Sequence, residues 1–306
     1  VIRDFRRIVV GVDLSETGDL SAGSQLAVEQ ARWVASLGGA HVTLLHSIRR
    51  EEHWRVSEGV FGDRPVSADD GFRRPMEIAL RSLSEAGIEA ELVFSDERAW
   101  LAIVANVLQF GADLVIVGKR ADSVHDGRLL GGVSQKLLRK CPCAVWVVKP
   151  DHSAVPANIL VATDLSPVGD RVVALAASIS SECGAELHIV HALELPLAVQ
   201  MKDSESEKEF LAESRAAAVA EIESQLPEPL RGAAELHVGL TSPSNAILAC
   251  VDRLNPDLVV MGTISRAGIA GLSVGNTAER MLGHLDCSML TVKPADFVCP
   301  VRSGED

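Results

Sequence analysis

The sequence predicts an α/β protein made of two tandem, doubly wound parallel sheets of five strands each. Three observations predict it. The chain repeats itself, its apolar runs alternate between strand and helix spacing, and its 306 residues suit two domains of about 150 better than one. The repeat begins where Arg7-Ile8-Val9-Val10-Gly11-Val12-Asp13-Leu14-Ser15 matches Asn158-Ile159-Leu160-Val161-Ala162-Thr163-Asp164-Leu165-Ser166, an offset of 151. His41-Val42-Thr43-Leu44-Leu45-His46 then matches Glu186-Leu187-His188-Ile189-Val190-His191 at an offset of 145. Ala112-Asp113-Leu114-Val115-Ile116-Val117-Gly118 matches Pro256-Asp257-Leu258-Val259-Val260-Met261-Gly262 at 144, and that offset holds through Gly131 and Gly275 to Lys149-Pro150 and Lys293-Pro294. Drift of the offset marks differences in loop length. Domains over 1–150 and 157–296 follow, joined by the polar, proline-bearing stretch Pro150 to Pro156.

Each half reads as five strands separated by four helices. In the first half the strands are predicted near 7–12, 41–48, 89–94, 113–117 and 144–148, and the helices near 21–38, 73–86, 99–110 and 133–140. Strands 7–12, 113–117 and 144–148 are continuous Val/Ile-rich runs rather than alternating ones. Such runs belong to strands covered on both faces, hence to a parallel sheet between helix layers. Helix 21–38 sets Leu26, Val28, Ala31, Val34, Ala35 and Leu37 near helical spacing and ends at Gly38-Gly39, a C-cap signal. Alternating strands and helices with right-handed crossovers give a Rossmann-like sheet. The halves differ most in residues 49–72 and 194–229. In the second of these, Leu211 to Ile222 reads as an Ala-rich, solvated helix.

Twenty-nine basic against 42 acidic residues leave a formal charge of −13, which argues against nucleic acid or an anionic membrane surface as partner. The longest apolar strands are about five residues, far short of a membrane span. Phe5-Arg6-Arg7 leads straight into the first strand, so no signal peptide is expected. The six cysteines form no CxxC pair and lie mostly in apolar contexts. They read as reduced core thiols of a cytoplasmic protein. No metal site is expected: His53 with Glu51, Glu52 and Asp63 has the right residue types but no standard spacing.

Ligands of such sheets sit outside the carboxyl ends of the strands, where strand order reverses. The polar residues at strand ends are Asp13 and Asp164 after the first strand and His46 and His191 after the second. Each Asp could meet a ligand or close an Asx turn. Each His is expected to satisfy a backbone group locally. After the fourth strand comes a long glycine-bearing loop, Gly118 to Ser134 in one half and Gly262 to Thr277 in the other. A loop of this kind, ending at a helix N-terminus, can present backbone N–H groups to phosphate. It can equally be a plain connection. Asn276 with Glu279 reads as a helix cap and capping box.

These features together resemble the universal stress proteins, in particular their two-domain members, over essentially the whole chain twice. The resemblance rests on Val12-Asp13-Leu14-Ser15, the strand ending in His, Asp113-Leu114-Val115-Ile116-Val117-Gly118, a glycine thirteen residues on, Cys141-Pro142-Cys143, and the closing Val147-Val148-Lys149-Pro150. Gly275-Asn276-Thr277-Ala278-Glu279-Arg280 is especially similar. ATP-binding members carry Gly-x2-Gly-x9-Gly-Ser/Thr, and the resemblance implies that the first-strand Asp and the end of strand two face adenine. It thereby implicates Asp13 and Ser47 in one half, and Asp164 and Ala192 in the other. The first half carries Gly118, Ala121, Gly131 and Gly132 at the motif positions; the second carries Gly262, Ser265, Gly275 and Asn276, followed by Thr277. Two of the four positions depart from the motif in each copy. Ala121 and Ser265 add a Cβ, which costs on the order of 1 kcal/mol if the backbone there needs a positive φ. Gly132 offers no hydroxyl, whereas Asn276 offers an amide, so the second copy is the better candidate.

The implied cofactor is ATP or another adenine nucleotide, with none at all as the alternative. Three functions are open. One is a stress-response binding protein whose halves form an intramolecular pseudo-dimer, with a further homodimer unsettled. Another is a slow ATPase or a hydrolase using a bound water. No Gly-x-Ser-x-Gly, Walker, HExxH or Ser-Gly-Gly-x-Asp-Ser sequence supports enzyme chemistry. The last is an interaction module with a lipid-like ligand, served by Val60-Phe61 and Leu195 to Val199.

Overall fold

A computed structural model describes residues 1–48, 70–119, 132–193, 204–263 and 276–301. The chain forms two compact units, one of Ile2–Val155 with the tail from Val298, the other of Pro156–Phe297 with Val1.

The first unit runs β1 (Arg7–Val12), α1 (Ala22–Gly38), β2 (His41–Ser47), α2 (Asp70–Glu85), β3 (Ala90–Ser95), α3 (Ala99–Phe110), β4 (Leu114–Gly118), α4 (Gly132–Lys140) and β5 (Ala144–Val148). Its strands are parallel, in the order β3-β2-β1-β4-β5. The second unit runs β6 (Asn158–Ala162), α5 (Pro167–Cys183), β7 (Glu186–Leu193), α6 (Ser204–Gln225), β8 (Glu235–Leu240), α7 (Pro243–Leu254), β9 (Leu258–Gly262), α8 (Asn276–His284) and β10 (Ser288–Val292). Its strands are again all parallel, in the order β8-β7-β6-β9-β10. The α/β class and the five-stranded, doubly wound sheets are those the sequence predicts.

Strand chemistry explains the layering. Ile8, Val10, Leu114, Val115 and Ile116 are buried, as are Ile159, Leu160, Val161, Val259 and Val260. Strands so apolar on both faces need helices on both sides. The two units share their register. Ile8 pairs with Leu114 and Ile159 with Leu258, so the sequence repeat holds strand by strand. One carboxylate in each unit fixes that register. Asp113 accepts the backbone N–H of Arg6 at 2.7 Å and of Arg7 at 3.2 Å. Asp257 accepts those of Ala157 at 2.8 Å and Asn158 at 3.0 Å. The Asp of each Asp-Leu-Val block is therefore a clamp between the first and fourth strands.

Helix termini follow side-chain caps. Ser21 accepts the Ser24 N–H, Ser166 that of Gly169 and Ser242 that of Asn245. Helix α1 closes through Gly39 at φ +70, the left-handed conformation that glycine adopts without a Cβ penalty. Helix α2 starts at Asp70, three residues before the predicted start. Helix α6 extends the Ala-rich segment to 22 residues. It buries Ala218 and Ile222 while most of its described side chains are exposed, as a solvated helix should. All six cysteines are free thiols. Among the described residues no helix is long and apolar enough to cross a membrane.

Candidate functional site

The second unit opens a cleft of about 120 Å³ where its strand order reverses. Its floor is the carboxyl ends of β6, β7 and β9: Ala162, Thr163, Asp164, Val190, Ala192, Met261, Gly262 and Thr263. Its rim is the first turn of α5, of α7 and of α8, the last through Thr277 and Ala278. Space of that size holds on the order of ten waters, or one flat heterocycle in their place. Much of the lining is apolar, and the α8 N-terminus brings a positive dipole end to it.

The loop after β6 is held by its own side chains. Thr163 Oγ1 accepts the Leu165 N–H at 3.1 Å. Asp164 Oδ1 accepts the Ser166 N–H at 3.1 Å and the Ser166 hydroxyl, and Ser166 Oγ in turn accepts the Gly169 N–H at 3.2 Å. The Asx turn is thus the geometry of Asp164, and it supports Leu165 at φ +55, a left-handed conformation that costs a non-glycine residue roughly 1–2 kcal/mol. A Cβ on Gly169 would stand 2.5 Å from Thr163 Oγ1, so the helix start and the loop are closely fitted. His191 Nδ1 lies 2.9 Å from the Thr163 carbonyl, and His46 Nδ1 2.9 Å from that of Val12. Both histidines therefore satisfy the backbone at the end of the first strand.

The equivalent loop of the first unit is built differently. The Asp13 N–H donates to Ser24 Oγ at 2.7 Å, and Asp13 Oδ1 accepts the Leu14 N–H at 3.0 Å. The serine that follows the Asp-Leu pair is the helix cap in the second unit (Ser166), but in the first unit the cap is Ser21, six residues beyond Ser15. Those six residues turn back on themselves through Ser15 N–H to Asp19 carbonyl and a Leu14–Leu20 bridge. This insertion is where the repeat offset falls from 151 to 145.

Of the residues singled out from sequence, Asp164, Ala192, Gly262 and Thr277 meet in the one cleft. Asn276 begins α8 beside it, its side chain outside the described residues. Helix α8 already includes Asn276, so the position before it, where a cap would sit, also lies outside them. In the first unit Ser47 ends β2 and its hydroxyl donates to the Glu97 carbonyl at 2.5 Å. Gly118 ends β4, and Gly132 begins α4, exposed, with open space where a Cβ would be. Ala121, Gly131, Ser265 and Gly275 lie outside the described residues, as do Val60-Phe61, Leu195 to Val199 and the His53 group. The α7 side of the cleft, Pro243, Ala246 and Ile247, holds none of the residues expected from sequence. The signal was present in Ser242-Pro243, a capping residue followed by proline at the first helical position.

Comparison with known proteins gives the family and the fold. The family model described as Universal stress protein family matches residues 4–149 and again 157–293. Universal stress protein E of Photorhabdus laumondii is 27% identical over 237 residues, covering 72% of this chain and 74% of that protein. A universal stress protein of Mycobacterium bovis is 27% identical over 292 residues, covering 90% of this chain and 92% of its own. Among solved structures, a protein of unknown function from Pseudomonas aeruginosa superposes with a TM-score of 0.72 at 22% identity, over 96% of this chain and 95% of that one. A universal stress protein from Archaeoglobus fulgidus does so with a TM-score of 0.62 at 20% identity, over 95% and 99%. At these identities the superpositions speak for the fold, and the two family matches speak for descent: the chain belongs to the universal stress protein family and carries its domain twice.

Proposed function

We propose that the second unit binds an adenine nucleotide, ATP being the form to test first, in the cleft of β6, β7 and β9, and that the protein acts by binding rather than by catalysis. The observation that carries this reading is the convergence of Asp164, Ala192, Gly262 and Thr277 on one cleft at the strand switch point. Asp164, Ala192 and Gly262 stand where the family resemblance sets the base, ribose and phosphates, and Thr277 directly follows the last motif position. The carboxylate of Asp164 can accept a hydrogen bond from an exocyclic amine. The α8 N-terminus can meet anionic oxygen. The described polar side chains of the cleft are Thr163, Asp164, Thr263 and Thr277; Asp164 and Thr163 already hold their own loop, and the Thr263 hydroxyl donates to the Val292 carbonyl. That arrangement supports retention of a ligand more than attack on it. Six free thiols fit a reducing compartment such as the cytoplasm.

Calorimetric titration of the full chain with ATP and Mg²⁺ tests the proposal. Saturation near one nucleotide per chain, lost in Gly262→Val, is the expected result. Absence of heat at millimolar ATP, together with no nucleotide mass in native mass spectra of the purified protein, would overturn it. The apolar share of the lining favours one competing occupant, a lipid-like ligand, which the same mass spectra would show as a non-nucleotide adduct.

A further inference from the structure

The amino-terminal half of the same sheet carries a second cluster, away from the cleft lining. His188 on β7 stands opposite Glu235 on the edge strand β8, and His237 stands opposite Val190 two residues further along. The period of two in a strand puts Glu186, His188, Glu235 and His237 on one face. The rings of His188 and His237 stack with centroids 5.5 Å apart. His188 Nδ1 is 3.3 Å from His237 Nε2 and 3.2 Å from Glu235 Oε2. The two histidine side chains are 10% and 11% exposed and the glutamate 61%, so the group is walled in with one open, carboxylate-bearing side.

Neutral imidazoles leave one contact of this cluster unmatched. The Arg253 guanidinium, from the last turn of α7, lies 2.8 Å from His237 Nδ1 and can only donate. With Nδ1 accepting, the neutral ring carries its proton on Nε2 and gives it to His188 Nδ1. That nitrogen then turns a lone pair toward the Glu235 carboxylate at 3.2 Å. If His188 Nδ1 instead donates to Glu235, His237 Nε2 must accept, and its proton moves to Nδ1 against Arg253. One of the three contacts fails with either set of neutral tautomers.

We propose that His188 Nδ1, His237 Nε2 and Glu235 form a binding site for a divalent transition metal, zinc in the first place. A cation at their common centre can take one ligand atom from each residue, and one such atom of His188, Glu235 and His237 lies within 4.8 Å of the other two. Two imidazole nitrogens each about 2.0–2.1 Å from a tetrahedral zinc stand about 3.3–3.4 Å apart. The observed separation of 3.3 Å needs almost no adjustment. Two histidines and a carboxylate are a zinc donor set that leaves a fourth position for water. The outer ring fits as well. With His188 bound through Nδ1, its Nε2–H has the exposed Glu186 carboxylate 4.0 Å away, which must close by about 1 Å to become the carboxylate partner that metal-bound histidines take. Arg253 opposes the ion. It holds His237 in the wrong tautomer and adds positive charge, so metal uptake requires it to release Nδ1.

Zinc titration of the chelator-stripped full chain against a chromophoric zinc indicator, without nucleotide, tests this. The expected result is one zinc per chain, weakened at least tenfold in His237→Gln and in His188→Gln. Glu235→Gln, at an exposed position, gives the same direction without endangering the fold. Arg253→Gln should tighten zinc severalfold, which a merely structural role for the cluster does not predict. Cobalt(II) in place of zinc should give visible d–d bands that vanish in the same variants. No zinc uptake by the wild-type chain, or uptake unchanged in Glu235→Gln and His237→Gln because thiols elsewhere hold the ion, would overturn the proposal. Neither result bears on nucleotide binding, since none of the three ligands lines the cleft.

Discussion

Gly118 at the end of β4 lies against Gly23 of α1 so closely that a Cβ on Gly118 would stand 2.4 Å from the Gly23 carbonyl carbon and 2.6 Å from its Cα. Both neighbours are backbone, which cannot swing aside. In the first unit the opening glycine of the nucleotide motif is therefore needed for packing whether or not a nucleotide binds. Gly118→Ala should destabilise this unit by about 1–3 kcal/mol through overpacking. At about 2–4 °C per kcal/mol, a calorimetric scan should show the loss as a lower transition temperature. An unchanged scan would mean that α1 retreats freely from β4.

Burial raises the carboxyl pKa of Asp113 above its ordinary value near 3.8, against the lowering effect of the Arg6 and Arg7 backbone N–H groups. The folded chain thus holds that proton more tightly than the unfolded chain. The associated stability is fully present below about 3.8 and is lost as pH rises through the folded value. Asn at this position does not titrate, and it offers one oxygen where Asp113 uses two. Asp113→Asn should be less stable than wild type. The gap in urea midpoint should widen as pH falls from neutral toward 4, in the window that begins at the raised folded pKa. A gap that narrows on acidification would contradict the assignment.

Cys141 and Cys143 bracket Pro142 with their sulfurs 3.4 Å apart. The hydrogen bond with Cys141, and then burial, push the Cys143 thiol well above its usual range. Because the thiolate is the reactive form, Cys143 should be alkylated by iodoacetamide at pH 8 at least tenfold more slowly than free cysteine. Cys141→Ser should speed it less than unfolding does. Peptide mass spectrometry with timed quenching reads both rates. Rapid labelling of native Cys143 would show an open, ionised thiol.

Most of the fold was legible because its strands are fully apolar and its halves repeat. Residues 7–12 and 144–148 were placed without error, since a short β-branched run between polar loops admits little else. Helix α2 was misplaced by three residues at its start, where Asp70 and Gly71 carry no apolar period. The drop in repeat offset showed an insertion but not its place; only the caps Ser21 and Ser166 locate it at 15–20. The cleft was half legible. Asp164 and Gly262 announce themselves at strand ends, whereas Ala246 and Ile247 look like any apolar helix face. The His188–His237 contact was not legible at all. It joins residues 49 apart through the register of two neighbouring strands, and nothing in either strand alone sets that register.

Asp164 separates turn chemistry from ligand chemistry. Its Oδ1 takes both the N–H and the hydroxyl of Ser166, which caps α5. Asp164→Ala removes both bonds and should cost about 1–2 kcal/mol of stability. Asp164→Asn keeps an oxygen at the same place, so the turn should survive with a melting temperature near that of the wild type. An adenine amine also needs only an acceptor. On the proposed nucleotide reading, ATP affinity should therefore stay within a few-fold in Asp164→Asn and fall about tenfold in Asp164→Ala, the loss expected for one hydrogen bond. The pair of variants, followed by thermal melts and by ATP titration, gives four outcomes that the two roles divide. Equal melts would remove the turn from the account. Equal ATP affinities in wild type and Asp164→Ala would remove Asp164 from the binding site while leaving the turn in place.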